Sequence, residues 1–244
     1  MSIVRAYITG SMWKAYAQGE RNFCGNKLPD GLTQYQQLPG PILTPTTKGT
    51  LDITGIPTSE DANITHDQIR AVLADFGFHD GGACEHYRHL IPTVFERISN
   101  ELASKGQLLA DAKFEIGYFC NGTGHRILGL IDEPITPDSA RIWSGHDYNK
   151  GKIVERSKES FRKYLKEYCA KHVKPHGTNI LDGGPFLPQL KELAATHRIP
   201  VDTMMEVSKI YGDLTHEITG KPVPTVTEPR EEILQTLSDY GLLR

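Results

Sequence analysis

No run of apolar residues in this 244-residue sequence approaches the ~20 that a membrane span requires, and the first residues lack the basic and apolar segments of a secretory signal. Cysteine is sparse: Cys24, Cys84, Cys120 and Cys169 are scattered without a CxxC pair, which argues for free thiols in a reducing compartment, the cytoplasm. An excess of one charge is also missing. With 27 basic against 30 acidic residues and a pI near 6.4, the chain has no bulk field to draw nucleic acid or an anionic membrane, so any phosphate must be met by local groups. There is no GxxxxGK[ST] loop, no strand-linked GxGxxG, no internal repeat and no low-complexity tract. What is present is 38% hydrophobic residues, enough to fill the core of a soluble globular chain of one large domain or two small ones.

The densest chemistry lies between Asp111 and Trp143. Asp111, Lys113 and Glu115 alternate with Ala110, Ala112, Phe114 and Ile116, and a strand sends alternate side chains to opposite faces. One face is therefore charged and the other apolar, a pattern that also suits the wet face of a half-buried sheet. Ile127–Ile131 reads as a second strand after the turn Asn121-Gly122-Thr123-Gly124, giving a β-hairpin. If Thr123-Gly124 is a two-residue loop, Glu115 falls opposite Asp132 and two carboxylates meet as a candidate divalent-cation site; a one-residue shift breaks that pairing. Pro134, Pro137 and Asp138 then re-aim the chain, and Arg141 follows as a cation within reach.

In chain order, Ile3–Ile8 reads as a strand, with Arg5 either functional or merely exposed, and Ser11–Tyr16 as a short helix capped by the Ser11 hydroxyl. Leu28–Gly49 is rich in proline, glycine and threonine and reads as an extended loop continuing through Asp61; Lys48 near its end is either solvated or set to reach a phosphate. Thr65 caps a helix that ends before Gly77. A longer helix carries Tyr87 to Leu102, with Pro92 starting or kinking it, and both helices are expected to cover the apolar face of the sheet. His79, Cys84, His86 and His89 match no zinc spacing. Ser157–Lys171 reads as an amphipathic helix whose basic residues Lys158, Arg162, Lys163 and Lys166 face solvent. Val173–Pro188 reads as a loop, and Asp202–Thr219 and Glu231–Tyr240 as helices in a C-terminal quarter without chemistry. Residues 1–150 are thus expected to form a substrate- and metal-binding α+β core, and 151–244 a helical region packed on the same domain.

Four motifs, VRAYITGSMWKAY, LPGPILTPTTKG, DAKFEIG and LIDEPITPDSARIW, stand in the order found in one family, and the chain resembles phosphoribosylaminoimidazole-succinocarboxamide synthase, or SAICAR synthetase, over nearly its whole length. The resemblance implies an α+β, kinase- or ATP-grasp-like C-terminal catalytic lobe with an antiparallel sheet and packed helices. It implies a ligase of purine biosynthesis that joins L-aspartate to the carboxylate of the imidazole ribotide CAIR, using ATP and Mg²⁺ by way of an acyl phosphate. Arg5, Ser11, Asp111, Lys113, Asp138 and Arg141 would then hold the ribotide, with Lys113, Asp111 and Arg141 nearest the chemistry. Glu115 and Asp132 would hold Mg²⁺, and Lys48 would approach the nucleotide phosphates. Family members begin with a β-rich lobe that carries much of the ATP site, and this sequence starts after it. The expectation is therefore a catalytic lobe working with a separate N-terminal lobe chain or as a homo-oligomer, with an apolar docking patch near Val4–Tyr16. A non-catalytic homologue that binds purine nucleotides, and a ligase acting on a different carboxylate or amine, are the alternatives.

Overall fold

The structure is a computed structural model describing all residues except 50, 80, 133–134, 173–186, 225 and 243–244. Strand β1 (Ser2–Tyr7) runs into helix α1 (Gly10–Ala17), followed by the short pair β2 (Asn22–Phe23) and β3 (Asn26–Lys27) and by β4 (Gln37–Pro45). Helices α2 (His66–Asp75) and α3 (Gly81–Ser104) precede β5 (Gln107–Cys120), β6 (Arg126–Ile131) and β7 (Ala140–Ser144). After β7 the described elements are helices: α4 (Gly145–Tyr148), α5 (Glu159–His172), α6 (Leu187–Thr196), α7 (Val201–Thr219) and α8 (Pro229–Asp239). Among the described residues the main sheet has five strands in the order β4-β1-β5-β6, and β7 pairs with the first half of β5. Every pairing is antiparallel.

Period-two patterning on β5 explains the layering. Ala110, Ala112 and Phe114 are buried with Val4 and Leu43 and pack with Tyr87, Ile91 and Phe95 of α3. That face forms the main core, and α3 covers it as its spacing predicts. A second cluster, in which Met12 and Tyr16 of α1 meet Ile8, Phe23, Leu28 and Leu38, anchors the other end of β1. Thr65 forms a complete capping box with Gln68 at the start of α2. Thr65→Ala is expected to lower stability by about 1 kcal/mol, read as a shift in urea midpoint; an unchanged midpoint would remove the cap from the account.

Several expectations are corrected here. Within the segment read as a loop, Gln37–Pro45 is edge strand β4, while the described residues of 28–36 and 47–61 on either side are irregular. Arg5 faces Ile42 while Tyr7 faces Gln37, so Pro39 and Pro41 sit where the ladder is irregular, as residues without an N–H must. Ser11 does not cap α1: Thr9 occupies the cap position, and the Ser11 hydroxyl accepts instead from Arg5. Arg5 is 3% exposed rather than solvated. The apolar side chains of the Val4–Tyr16 end, including Val4, Ile8, Met12 and Tyr16, are buried within this chain, so the expected docking patch is not formed there. Leu187 and Pro188 open α6 and do not continue a loop; the rest of the expected 173–188 loop lies outside the described residues. The position of Glu133 and Pro134 in the expected break after β6 likewise lies outside them.

Candidate functional site

Cross-strand register builds the centre of the site. Arg5 on β1 and Arg141 on β7 both face Asp111 on β5, one from each side. A row perpendicular to the strands therefore reads Arg-Asp-Arg on the sheet face opposite the α3 core. Arg141 Nη1 donates to Asp111 Oδ2 at 2.7 Å, and Arg5 Nη1 lies 3.9 Å from the same oxygen. Arg5 also donates through Nε to Thr44 at 3.1 Å and through Nη2 to Ser11 at 3.3 Å. Burial pulls the Arg5 pKa down, and Asp111 opposes that pull. Burial likewise acts against the charge of Arg141, but Asp111 and Glu159 outweigh it and its pKa is raised. Gly10 stands at φ +58°, and a Cβ there would lie 3.1 Å from Arg141 Nη2, so the turn into α1 leaves room for that guanidinium.

This row forms one wall of a cavity of about 510 Å³. Of the residues singled out in sequence, Arg5, Ser11, Asp111, Lys113, Asp138 and Arg141 all line it. The structure adds Lys14 from α1 and Lys158, Glu159, Arg162 and Lys166 from the start of α5. Glu159 accepts from Arg141 at 3.1 Å and from Arg162 at 2.6 Å, which ties α5 to the sheet. The face of α5 read as solvated thus turns toward the cavity. Lys158, Arg162 and Lys166 fall four residues apart on one helical stripe, a signal visible in sequence, but periodicity cannot say what the stripe meets. A space so rich in guanidinium and ammonium groups is suited to an anion carrying more than one negative group.

Lys48 and Glu115 lie at a second, more apolar cavity of about 360 Å³. Lys113 lies between the two: its Nζ is 3.0 Å from Glu115 Oε1, while Lys48 donates to Glu115 Oε2. Lys113, Glu115 and Lys48 form a continuous line of alternating charge from one cavity to the other. The hairpin register differs from the two-residue-loop expectation. Glu115 faces Ile131, not Asp132, because the connection from Cys120 to Arg126 is a five-residue loop; its Asn121 carboxamide accepts from Thr123 and His125. Asp132 follows β6 at φ +67°, and together with Glu115 it acts electrostatically on Lys48. Among the described residues no group of three or more His, Cys, Asp or Glu side chains is placed to hold a metal ion by itself.

The Glu115 carboxyl is held below its ordinary value of 4.5, first by the hydrogen bond from Lys48 and then, against burial, by Lys113. Its folded pKa is below its unfolded one, so its contribution to stability is complete above about pH 4.5 and is lost as pH falls through the folded value. Glu115→Gln is therefore expected to flatten the fall of urea midpoint as pH drops below about 4.5. Equal slopes in the two proteins would contradict the lysine clamp.

The SAICAR synthetase family model matches residues 2–176. The chain belongs to the SAICAR synthetase family. It is 42% and 40% identical to the phosphoribosylaminoimidazole-succinocarboxamide synthases of Vibrio cholerae and Shewanella baltica, over 99% of its own length. The chain spans 65% of the length of each of those relatives. Among solved structures, the SAICAR synthase of Saccharomyces cerevisiae complexed with SAICAR matches with a TM-score of 0.62 and 28% identity, over 92% of this chain and 61% of that one. The SAICAR synthetase of Pyrococcus horikoshii shares the fold at a TM-score of 0.51 and 18% identity, over 92% and 65%. The α+β, antiparallel architecture inferred from sequence is thus that of the family.

Proposed function

We propose that this chain is the catalytic, substrate-binding part of an ATP-dependent ligase that joins L-aspartate to the carboxylate of CAIR to give SAICAR. The observation that carries the reading is the Arg5-Asp111-Arg141 row at the wall of a cation-rich cavity, in a chain of this family. In the reaction a CAIR carboxylate oxygen attacks the γ-phosphorus of ATP and ADP leaves. The aspartate amine then attacks the acyl carbon, phosphate departs, and the amine gives up its proton. Arg5, Ser11, Asp138 and Arg141 hold the ribotide, and Asp111 keeps the two arginines in register. Lys113 stands where it can neutralise the acyl phosphate, and Lys48 meets the nucleotide phosphates, so the charged line between the cavities lies along the path of phosphoryl transfer. Glu115 is ionised and acts with Asp132 on one lysine, a donor set that fits Mg²⁺, which takes one or two carboxylates plus phosphate oxygens. Those two residues would hold the ion, and it would supply neutralisation of phosphate charge.

Residues 1–150 are proposed to carry both cavities' sheet walls and 151–244 to close the ribotide cavity as part of the same domain. Because the relatives are longer than the span matched, the complete activity is proposed to involve an ATP-binding lobe, in the same or a separate polypeptide, or a second copy of this chain. A cytoplasmic location agrees with the free thiols of Cys24, Cys84, Cys120 and Cys169, and among the described residues no helix is long and apolar enough to cross a membrane. The test is chromatographic detection of SAICAR from CAIR, L-aspartate and Mg-ATP, each omitted in turn, with this chain assayed together with an ATP-binding lobe. SAICAR and ADP should accumulate one for one only with all three present. ADP release that needs no CAIR, or equal use of another amine, would overturn the assignment.

A further inference from the structure

Beyond residue 176, where the family match ends, helix α7 reaches back to a residue of the cavity wall through the side chain of Tyr211. The Tyr211 hydroxyl donates to Asp138 Oδ1 at 2.8 Å across a separation of 73 residues. Asp138 sits exposed in the turn Thr136–Ser139, where Ser139 N donates to Thr136 O at 3.1 Å, and it lines the cavity mouth. An exposed carboxylate on a turn would otherwise sample several rotamers. Tyr211, in contrast, has little freedom. One turn along α7, Leu214 is 2% exposed in the main core, and Glu217 accepts from Arg156 at 2.7 Å and from Gln107 at 2.6 Å. The helix is thus pinned on the sheet, and it presents the phenol at a fixed place. Burial first, and then Asp138, raise the Tyr211 pKa, so the hydroxyl remains a donor. Arg162 acts on Tyr211, and Asp138 acts on Lys158, so the pair belongs to the same charged wall as α5.

We propose that Tyr211 is a positioning residue for the ribotide: its hydroxyl holds one oxygen of Asp138 and turns the other toward a hydroxyl or N–H donor of the ligand. This rests on the reading of the cavity as the ribotide site. Among the described residues Tyr211 ties the C-terminal helices directly to a residue of the proposed site. It makes the order of α7 a condition of substrate affinity rather than of core packing alone.

The test is calorimetric titration of CAIR into the full chain and into Tyr211→Phe, Asp138→Ala and the double variant. The expected result is a weakening of about fivefold for Tyr211→Phe, a larger loss for Asp138→Ala, and no further loss when Tyr211→Phe is added to Asp138→Ala. A purely structural role for Tyr211 would weaken binding equally in both backgrounds, and that additivity would overturn the proposal. So would full affinity in Tyr211→Phe with loss in Asp138→Ala, which leaves the ribotide reading intact. Failure of the unaltered chain to bind CAIR would overturn the ribotide reading and this proposal with it. Full affinity in Asp138→Ala would overturn the role of Asp138, and hence of Tyr211, while sparing the cavity.

Discussion

Asp111→Ala is expected to destabilise the chain by about 3–5 kcal/mol, a fall of about 10 °C in melting temperature for a chain of this size. Asp111 is 5% exposed and Arg5 3% exposed, so the variant strands a buried guanidinium without its carboxylate. The remaining partners of Arg5, the hydroxyls of Thr44 and Ser11 and the Phe23 ring 5.6 Å away, carry no net charge and do not replace the lost carboxylate. Desolvating a cation is only offset when an opposite charge accompanies it, which is why removal of one partner has a larger effect than the pair's net contribution. Asp111→Asn keeps the shape but not the charge and should fall between the two proteins. Thermal and urea denaturation read the result directly. A loss below about 1 kcal/mol in Asp111→Ala would mean that water or another group already supports Arg5.

Arg141→Met is expected to behave differently, with affinity for CAIR falling by about a hundredfold while stability falls by much less than in Asp111→Ala. The contrast follows from the bonding. Without Arg141, Asp111 retains Arg5, and Glu159 retains Arg162 at 2.6 Å. Both carboxylates keep a cation, but the cavity loses a guanidinium that joins the β5 row to α5. Calorimetry with CAIR, beside a melting curve of the same variant, separates the two effects. A variant that melts far below Asp111→Ala, or that binds CAIR as the parent does, would show that Arg141 serves the fold rather than the ligand.

How much of this was legible in the sequence varies with how local the determinants are. The alternation on β5 announced a charged and an apolar face, and both exist, because period two is a property of the strand alone. The Thr65 cap and the glycine ends of α2 and α7 were legible for the same reason. Neighbouring strands were harder. Two short or proline-bearing segments, β4 and β7, became strands only through their partners β1 and β5, so the composition of β4 read as loop and β7 was assigned no element. The hairpin register slipped because the Asn121 side chain closes a wider loop than the glycine pattern suggested. Arg5, Asp111 and Arg141 were each identified by resemblance, but their alignment as one row is a matter of register across three strands. Lys158 and Arg162 were missed as cavity lining, and Tyr211 as the partner of Asp138, because their faces are chosen by tertiary packing.

The central claim is that the cavity beside the Arg5-Asp111-Arg141 row binds the ribotide. Titration of the purified chain with CAIR by calorimetry, at low and at raised salt, tests it most directly. The account predicts saturable binding of one ribotide per chain, weakened by salt as screening reduces the attraction of the cationic wall, and weakened about a hundredfold in Arg141→Met. Absence of binding at low salt, or binding that survives Arg141→Met unchanged, would contradict it.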